Sequence, residues 1–188
     1  MASQKAVFLD LNGTLVMPVQ AKTPAEYQPI LGSLEAVHML HQAGFICPVI
    51  TVQSGITKGR YTEARFRAWY ADFQRAWDSN DAHLSGVYLC PHGGNAGCDC
   101  HKPKPKLSLD AARDYDIDCA QSYVVGDTYS DIQAGIAIGA KTCFVETGWA
   151  DRHVPEHGSE ANFVGVNLLA VARWIIQDDL KASQARDT

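Results

Sequence analysis

No stretch of this 188-residue chain approaches the roughly 18 consecutive apolar residues that mark a membrane-spanning helix, so no membrane association is expected. The opening residues, MASQKAVFLDLNGT, lack the apolar core and small-residue cleavage site of a secretion signal. There is no basic surplus: 16 Lys and Arg against 21 Asp and Glu leave a net charge of −5. That disfavours nucleic acid as a partner, since its phosphates are held by a basic face. The six cysteines are too few for a disulfide scaffold, and three of them fall between Cys90 and Cys100. Such crowding points to metal ligation in a reducing cytosol, so a cytoplasmic location is expected, with the chain a monomer. No repeat, low-complexity tract or break in composition marks a linker. With 46% apolar and 20% charged residues, the chain reads as one globular domain over residues 1–188.

Short apolar runs alternate with helix-like stretches. Ala6–Leu11, Phe45–Thr51, Gly86–Cys90, Ser122–Val125 and Thr142–Val145 read as five strands, although Pro48 argues against a central place for the second. Residues 16–30 contain Pro18, Pro24 and Pro29 and read as a loop. Helical spacing appears over Leu31–Ala43, Thr57–Trp77, Leu107–Tyr115, Tyr129–Ile138 and Val166–Leu180. Residues 181–188 are expected to fray. Strands alternating with helices predict an α/β fold, a parallel sheet flanked by helices.

In such sheets ligands sit beyond the carboxyl ends of the strands. Asp10, Thr51 and Asp127 occupy three of those ends. A carboxylate there suits either of two roles: nucleophile at phosphorus, or ligand to Mg²⁺, which favours one or two carboxylates beside phosphate oxygens and water. Either residue could equally be a plain turn aspartate.

Cys90, His92, Cys98 and Cys100 form C-x-H-x5-C-x-C. Three thiolates and one imidazole match a closed, tetrahedral structural Zn²⁺ site with no open position for catalysis. The Gly- and Pro-rich loop 90–101 buries too little apolar surface to fix itself, so the metal would supply its order. Cys47, Cys119 and Cys143 lie in or beside apolar runs and read as small buried hydrophobes.

Four segments, in order, resemble the motifs of the haloacid dehalogenase (HAD) superfamily. FLDLNGTL resembles motif I, VITVQSG motif II, the lysine of CHKPKP motif III, and VVGDTYSD motif IV. The resemblance implies a HAD-like Rossmannoid phosphatase. Asp10 would attack phosphorus and become an aspartyl phosphate. Mg²⁺ would be held by Asp10, the backbone carbonyl of Asn12 and Asp127, with Asp131 assisting. Thr51 and Lys102 would hold the phosphoryl oxygens, with Val52, Gln53 and His101 lining the substrate site. The family places a second aspartate, its general acid and base, where this chain has Asn12. An amide cannot shuttle a proton, a loss on the order of 10²–10⁴-fold in rate. An engineered trap, a natural enzyme with another shuttle or a slower reaction, and a non-catalytic binder all remain open.

CPHGGNAGCDCHKPKP, in which the cysteine loop leads straight from Cys100 into the motif III lysine Lys102, resembles the zinc-loop branch of heptose bisphosphate and histidinol-phosphate phosphatases. Only about 40 residues separate Asp10 from Thr51, too few for a cap domain, so the resemblance implies a capless core and a small phosphorylated sugar or polyol as substrate. The chain departs from the branch at Val52 (usually Asn), His101 (usually Arg) and Thr128 (often Lys). An imidazole does not reproduce the planar fork of arginine on phosphate oxygens. Lys58, Arg60, Lys104 and Lys106 are candidates for a second phosphate site. His153 and His157 are candidates for the pocket edge, and Trp149 for the crevice wall.

Overall fold

In the computed structural model, which describes residues 3–94, 96–148 and 160–186, the first strand lies in the middle of a sheet. β1 (Val7–Leu9) is flanked by β4 (Val49–Val52) and β6 (Tyr123–Gly126), giving the order β5-β4-β1-β6-β7-β8. β5 is Val87–Cys90, β7 Lys141–Val145 and β8 Phe163–Gly165, and every pairing in this sheet is parallel. The chain winds outward from β1 in one direction through β4 and β5, then returns beside β1 at β6 and winds the other way. Such a reversal of strand order opens a crevice at the carboxyl ends of the strands.

Side chains in a strand alternate between faces, and both faces here are buried. Val7 and Leu9 of β1, with Tyr123 and Val125 of β6, join the core under α1 (Ser33–Gln42), α2 (Glu63–Asp78) and α5 (Leu168–Arg186). Phe8 and Val124 face the other way, into the core with Leu107 and Ala111 of α3 (Lys106–Asp114). α4 (Tyr129–Ala137) packs on β6 and β7. Phe8 is wholly buried, a contribution of about 1.5–3 kcal/mol from its side chain alone. The apolar runs of β1 and β6 are continuous because neither face meets water.

The five expected strands are present, and the sheet has a sixth, β8. Three residues long, β8 shows a strand pattern only when paired with β7. The stretch 16–30 is not all loop: β2 (Val16–Met17) pairs antiparallel with β3 (Gln28–Pro29). Between them lies a 3₁₀ turn, Pro24–Glu26. α2 starts at Glu63 rather than at Thr57. The Thr62 hydroxyl accepts from Arg65 N–H as an N-cap, and Gly59 at φ +69° turns the preceding residues out of the helix. α5 does not fray at 181; it continues to Arg186, through residues with good helix propensity and no Gly or Pro. Pro48 stands just before β4, in an interior position after all. Its carbonyl accepts from Leu9 N–H at 2.9 Å, and Val49 supplies the first N–H toward β5. Among the described residues between β1 and β4 there is only the hairpin, the 3₁₀ turn and α1, and no cap. No helix among the described residues is long and apolar enough to cross a membrane.

Candidate active site

Asp10 follows β1 directly, and its N–H still donates to Val125 O of β6 at 2.9 Å. Asp127 follows β6 in the same way, so the two aspartates stand side by side at the switch of strand order. The chain between Asp10 and β2 must then turn back sharply across Asp127. Gly13 makes that turn at φ +94°, and a Cβ there would overlap the Asp127 carboxylate. Only glycine meets both demands.

Lys102 arrives from the far end of the cysteine loop. Its ammonium lies 2.6 Å from Asp10 Oδ1, 2.5 Å from Asp131 Oδ1 and 3.2 Å from the Ile50 carbonyl. All three side chains are buried. Burial raises the Asp10 carboxyl; Lys102 opposes this and Asp131 adds to it. Burial alone would lower Lys102, but its two carboxylate partners outweigh that and hold it above its ordinary value. Asp131 is fixed on its other side: Oδ2 accepts from the Thr128 N–H and hydroxyl, closing a capping box at the start of α4.

Carboxylate oxygens of Asp10, Asp127 and Asp131 lie within 4.8 Å of one another. Three carboxylates facing one ammonium carry an excess of negative charge, and all the donors are hard oxygens. That donor set fits a divalent cation of the Mg²⁺ type.

Asn12 is held differently. Its Oδ1 accepts from Gln53 Nε2 at 2.6 Å and from Thr51 Oγ1 at 3.3 Å. Gln53 is buried, and every hydrogen-bonding edge of its amide is used. Nε2 also donates to Thr51 Oγ1 at 2.9 Å, while Oε1 accepts the hydroxyls of Tyr61 at 2.7 Å and Tyr27 at 3.1 Å. Burial raises both phenols above their ordinary range, so both remain donors. Both hydroxyls meet the oxygen end of Gln53, and its Nε2 end meets Asn12 Oδ1. Tyr61 reaches this point only because residue 55 is glycine: a Cβ there would lie 2.6 Å from the Tyr61 ring.

Asp10, Asn12, Val52, His101, Lys102 and Asp127 line one hollow of about 190 Å³. Thr51, also expected at the substrate, is not on its wall but stands behind Asn12; Gln53, expected there too, braces Asn12 and lines the smaller hollow beside it. The Thr51 side chain is wholly buried. Val19, Gln20, Ser54, Val52 and the amide network connect this hollow to a smaller one that Lys58 and Arg60 border. Lys104 and Lys106 lie elsewhere: Lys104 bonds the Cys98 carbonyl and Asp99, and Lys106 pairs with Asp110. Trp149, His153 and His157 fall outside the described residues. Tyr27, Val19 and Gln20 were not legible as site residues, because they lie in the Pro-rich stretch, which carries no motif. Tyr61 carried a usable signal, its place just after the motif II segment.

Cys90, His92, Cys98 and Cys100 converge at one end of the crevice, and their ligand atoms lie within 4.8 Å of one another. Four of the separations are 3.4–3.8 Å, and Cys90 Sγ to Cys100 Sγ is 3.0 Å. Tetrahedral ligands at Zn–S of about 2.3 Å lie roughly 3.8 Å apart, so the cluster has the size of a zinc site, slightly contracted along one edge.

The HAD-hydrolase-like family model matches residues 99–170. A D-glycero-beta-D-manno-heptose-1,7-bisphosphate 7-phosphatase of Pseudomonas putida is 34% identical, over 92% of this chain and 99% of its own length. The Escherichia coli enzyme of the same name is 36% identical, over 97% of this chain and 98% of its own. The crystal structure of D,D-heptose 1,7-bisphosphate phosphatase from Bordetella bronchiseptica, complexed with magnesium and phosphate, superimposes with a TM-score of 0.85 at 32% identity. It covers 93% of this chain and 99% of that one. The chain, with its parallel sheet, is thus a HAD-superfamily phosphatase, a phosphoric monoester hydrolase. Within that superfamily the chain belongs to the family of the heptose bisphosphate phosphatases.

Proposed function

We propose that the chain is a Mg²⁺-dependent phosphatase of a small phosphorylated sugar, of the heptose bisphosphate kind, with Asp10 as nucleophile. The observation that carries this reading is the placement of Asp10. It stands at the carboxyl end of the central strand, in hydrogen-bond contact with Lys102, on the wall of a hollow it shares with Asp127 and Asp131. Phosphoryl transfer asks little covalent chemistry of a protein; it needs in-line positioning and neutralised charge.

Asp10, Asp127 and the backbone carbonyl of Asn12 would hold Mg²⁺, which when bound neutralises phosphoryl charge. Lys102 lowers the repulsion between an anionic nucleophile and an anionic substrate. Asp131 keeps Lys102 in place. The Asp10 carboxylate bonds to phosphorus as the bond to the sugar oxygen breaks, and water then attacks phosphorus and frees the carboxylate. Cys90, His92, Cys98 and Cys100 would hold a structural Zn²⁺. That ion orders the loop carrying His101 and Lys102 into the hollow and takes no part in the chemistry.

The adjoining hollow bordered by Lys58 and Arg60 favours a substrate with a second anionic group over histidinol phosphate, which has one phosphate. The test is release of inorganic phosphate from a panel of sugar monophosphates and bisphosphates with Mg²⁺, beside Asp10→Asn. Turnover of a sugar bisphosphate that vanishes in the variant supports the reading. Release unaffected by Asp10→Asn, or release from no member of the panel, contradicts it.

A further inference from the structure

Asp10 and Asp131 are held in the hollow by a shared charge, the Lys102 ammonium. Asp127 is gripped by shape. Gly13, on the turn after β1, lies so close that a Cβ there would stand 2.1 Å from Asp127 Oδ2. Gly148, on the turn after β7, lies closer still: a Cβ there would stand 1.6 Å from Oδ2, 2.5 Å from Cγ and 2.9 Å from Cβ of Asp127. Two separate stretches of backbone therefore close on one carboxylate and leave it little room to turn.

Those stretches are tied to each other. Thr147 Oγ1 donates to the Gly13 carbonyl at 2.5 Å, while the Gly13 N–H donates to Val16 O at 2.8 Å. The Glu146 N–H donates to Gly165 O of β8 at 3.0 Å, which anchors the start of the same turn to the edge strand. Thr147 and Gly148 lie outside all four motif segments, and neither carries a carboxylate for a cation.

Resting on the reading of Asp127 as a Mg²⁺ ligand, we propose that Thr147 and Gly148 are positioning residues that give the cation site its preference for Mg²⁺ over Ca²⁺. Mg²⁺ demands near-ideal octahedral geometry with oxygens at about 2.0–2.1 Å. Ca²⁺ accepts irregular sets of oxygens at about 2.3–2.6 Å and takes carboxylates through one oxygen or both. A carboxylate confined between two backbones presents its oxygen in one place, which suits the smaller ion, and cannot swing to suit the larger. The Thr147 hydroxyl holds one turn against the other, and Gly148 leaves the space that the Asp127 carboxylate fills.

The test is displacement of Mn²⁺, followed by its electron paramagnetic resonance, by Mg²⁺ and separately by Ca²⁺, with no substrate present. The chain is measured beside Thr147→Val, Thr147→Ser, Gly148→Ala and Asp127→Asn. Thr147→Val keeps the side-chain shape and loses the hydrogen bond; Thr147→Ser keeps the bond. Thr147→Val and Gly148→Ala are expected to bind Mg²⁺ about 10–100-fold more weakly, the usual cost of removing a group that orients a metal ligand. Both lose much less affinity for Ca²⁺, and Thr147→Ser keeps the preference of the parent chain. Equal losses for the two ions in Thr147→Val, or no loss for Mg²⁺, overturn the inference while the Mg²⁺ site stands. Thr147→Ser behaving as Thr147→Val also overturns it, because the hydroxyl is then not what holds the turn. The two Thr147 variants decide the matter even where Gly148→Ala does not fold. No Mn²⁺ bound by the parent chain, or equal binding by Asp127→Asn, overturns the reading of Asp127 as a metal ligand, and the inference with it.

Discussion

The Gln53 side chain donates to Asn12 Oδ1 at 2.6 Å while its own carbonyl oxygen accepts from Tyr61 and Tyr27. Residue 12 is therefore oriented by a chain of donors that begins two side chains away. Replacing Gln53 with Leu strands two buried tyrosine hydroxyls and removes the strongest bond to Asn12. Unsatisfied buried polar groups cost about 1–3 kcal/mol each. Gln53→Leu is expected to lose about 3 kcal/mol in urea unfolding and to lower kcat. Gln53→Glu keeps the tyrosine bonds but loses the donor to Asn12, so it should keep more of the stability than of the activity. Equal losses in both variants would contradict this orienting role.

Lys102 balances Asp10 and Asp131 in a buried setting. Removing one partner of such a group leaves uncompensated buried charge, a loss of about 3–5 kcal/mol. Lys102→Met should show this in thermal unfolding without divalent cations, and Mg²⁺ should restore part of it by binding the freed carboxylates. A variant as stable as the parent chain, with no response to Mg²⁺, would mean that the three carboxylates do not form one charged centre.

Lys58 and Arg60 border the hollow that adjoins the one at Asp10. Each charge-assisted bond to an anionic group is worth about 1.5–3 kcal/mol, roughly tenfold or more in binding. Lys58→Ala and Arg60→Ala should each raise KM for a sugar bisphosphate by about that factor, with kcat and the KM of a monophosphate little changed. An equal rise for both substrates would place the second anionic group elsewhere.

The four-ligand cysteine loop should contain one zinc per chain by elemental analysis. Stripping it with a thiol-compatible chelator, or substituting Cys98→Ser, should lower the thermal midpoint by roughly 5–10 °C, a few kcal/mol at this chain length. Activity should fall as well, since His101 and Lys102 leave the cluster directly. Full stability after chelation would contradict a structural role for the ion.

The strand-end positions of Asp10 and Asp127 were legible in the sequence because each closes an apolar run and a glycine follows or precedes it within a few residues. The zinc ligands were legible because they are close in sequence. The bracing of Asn12 was not. Tyr27 approaches Gln53 from a Pro-rich hairpin 26 residues away, and no local period encodes such a meeting. The resemblance to motif II makes Thr51 a phosphoryl contact; in the folded chain its hydroxyl is hydrogen-bonded to Asn12 and Gln53. Pairing also decided β8 and the β2–β3 hairpin, whose two- and three-residue strands are too short to show alternation on their own.

The most direct test of the central claim is to find the phosphoryl group on the protein. The chain would be mixed with Mg²⁺ and an aryl or sugar phosphate, quenched in acid during turnover, and digested for peptide mass analysis. The account predicts one phosphoryl group per chain, carried on the peptide containing Asp10 and absent from Asp10→Asn. Steady phosphate release with that peptide unmodified, continuing in Asp10→Asn, would contradict it.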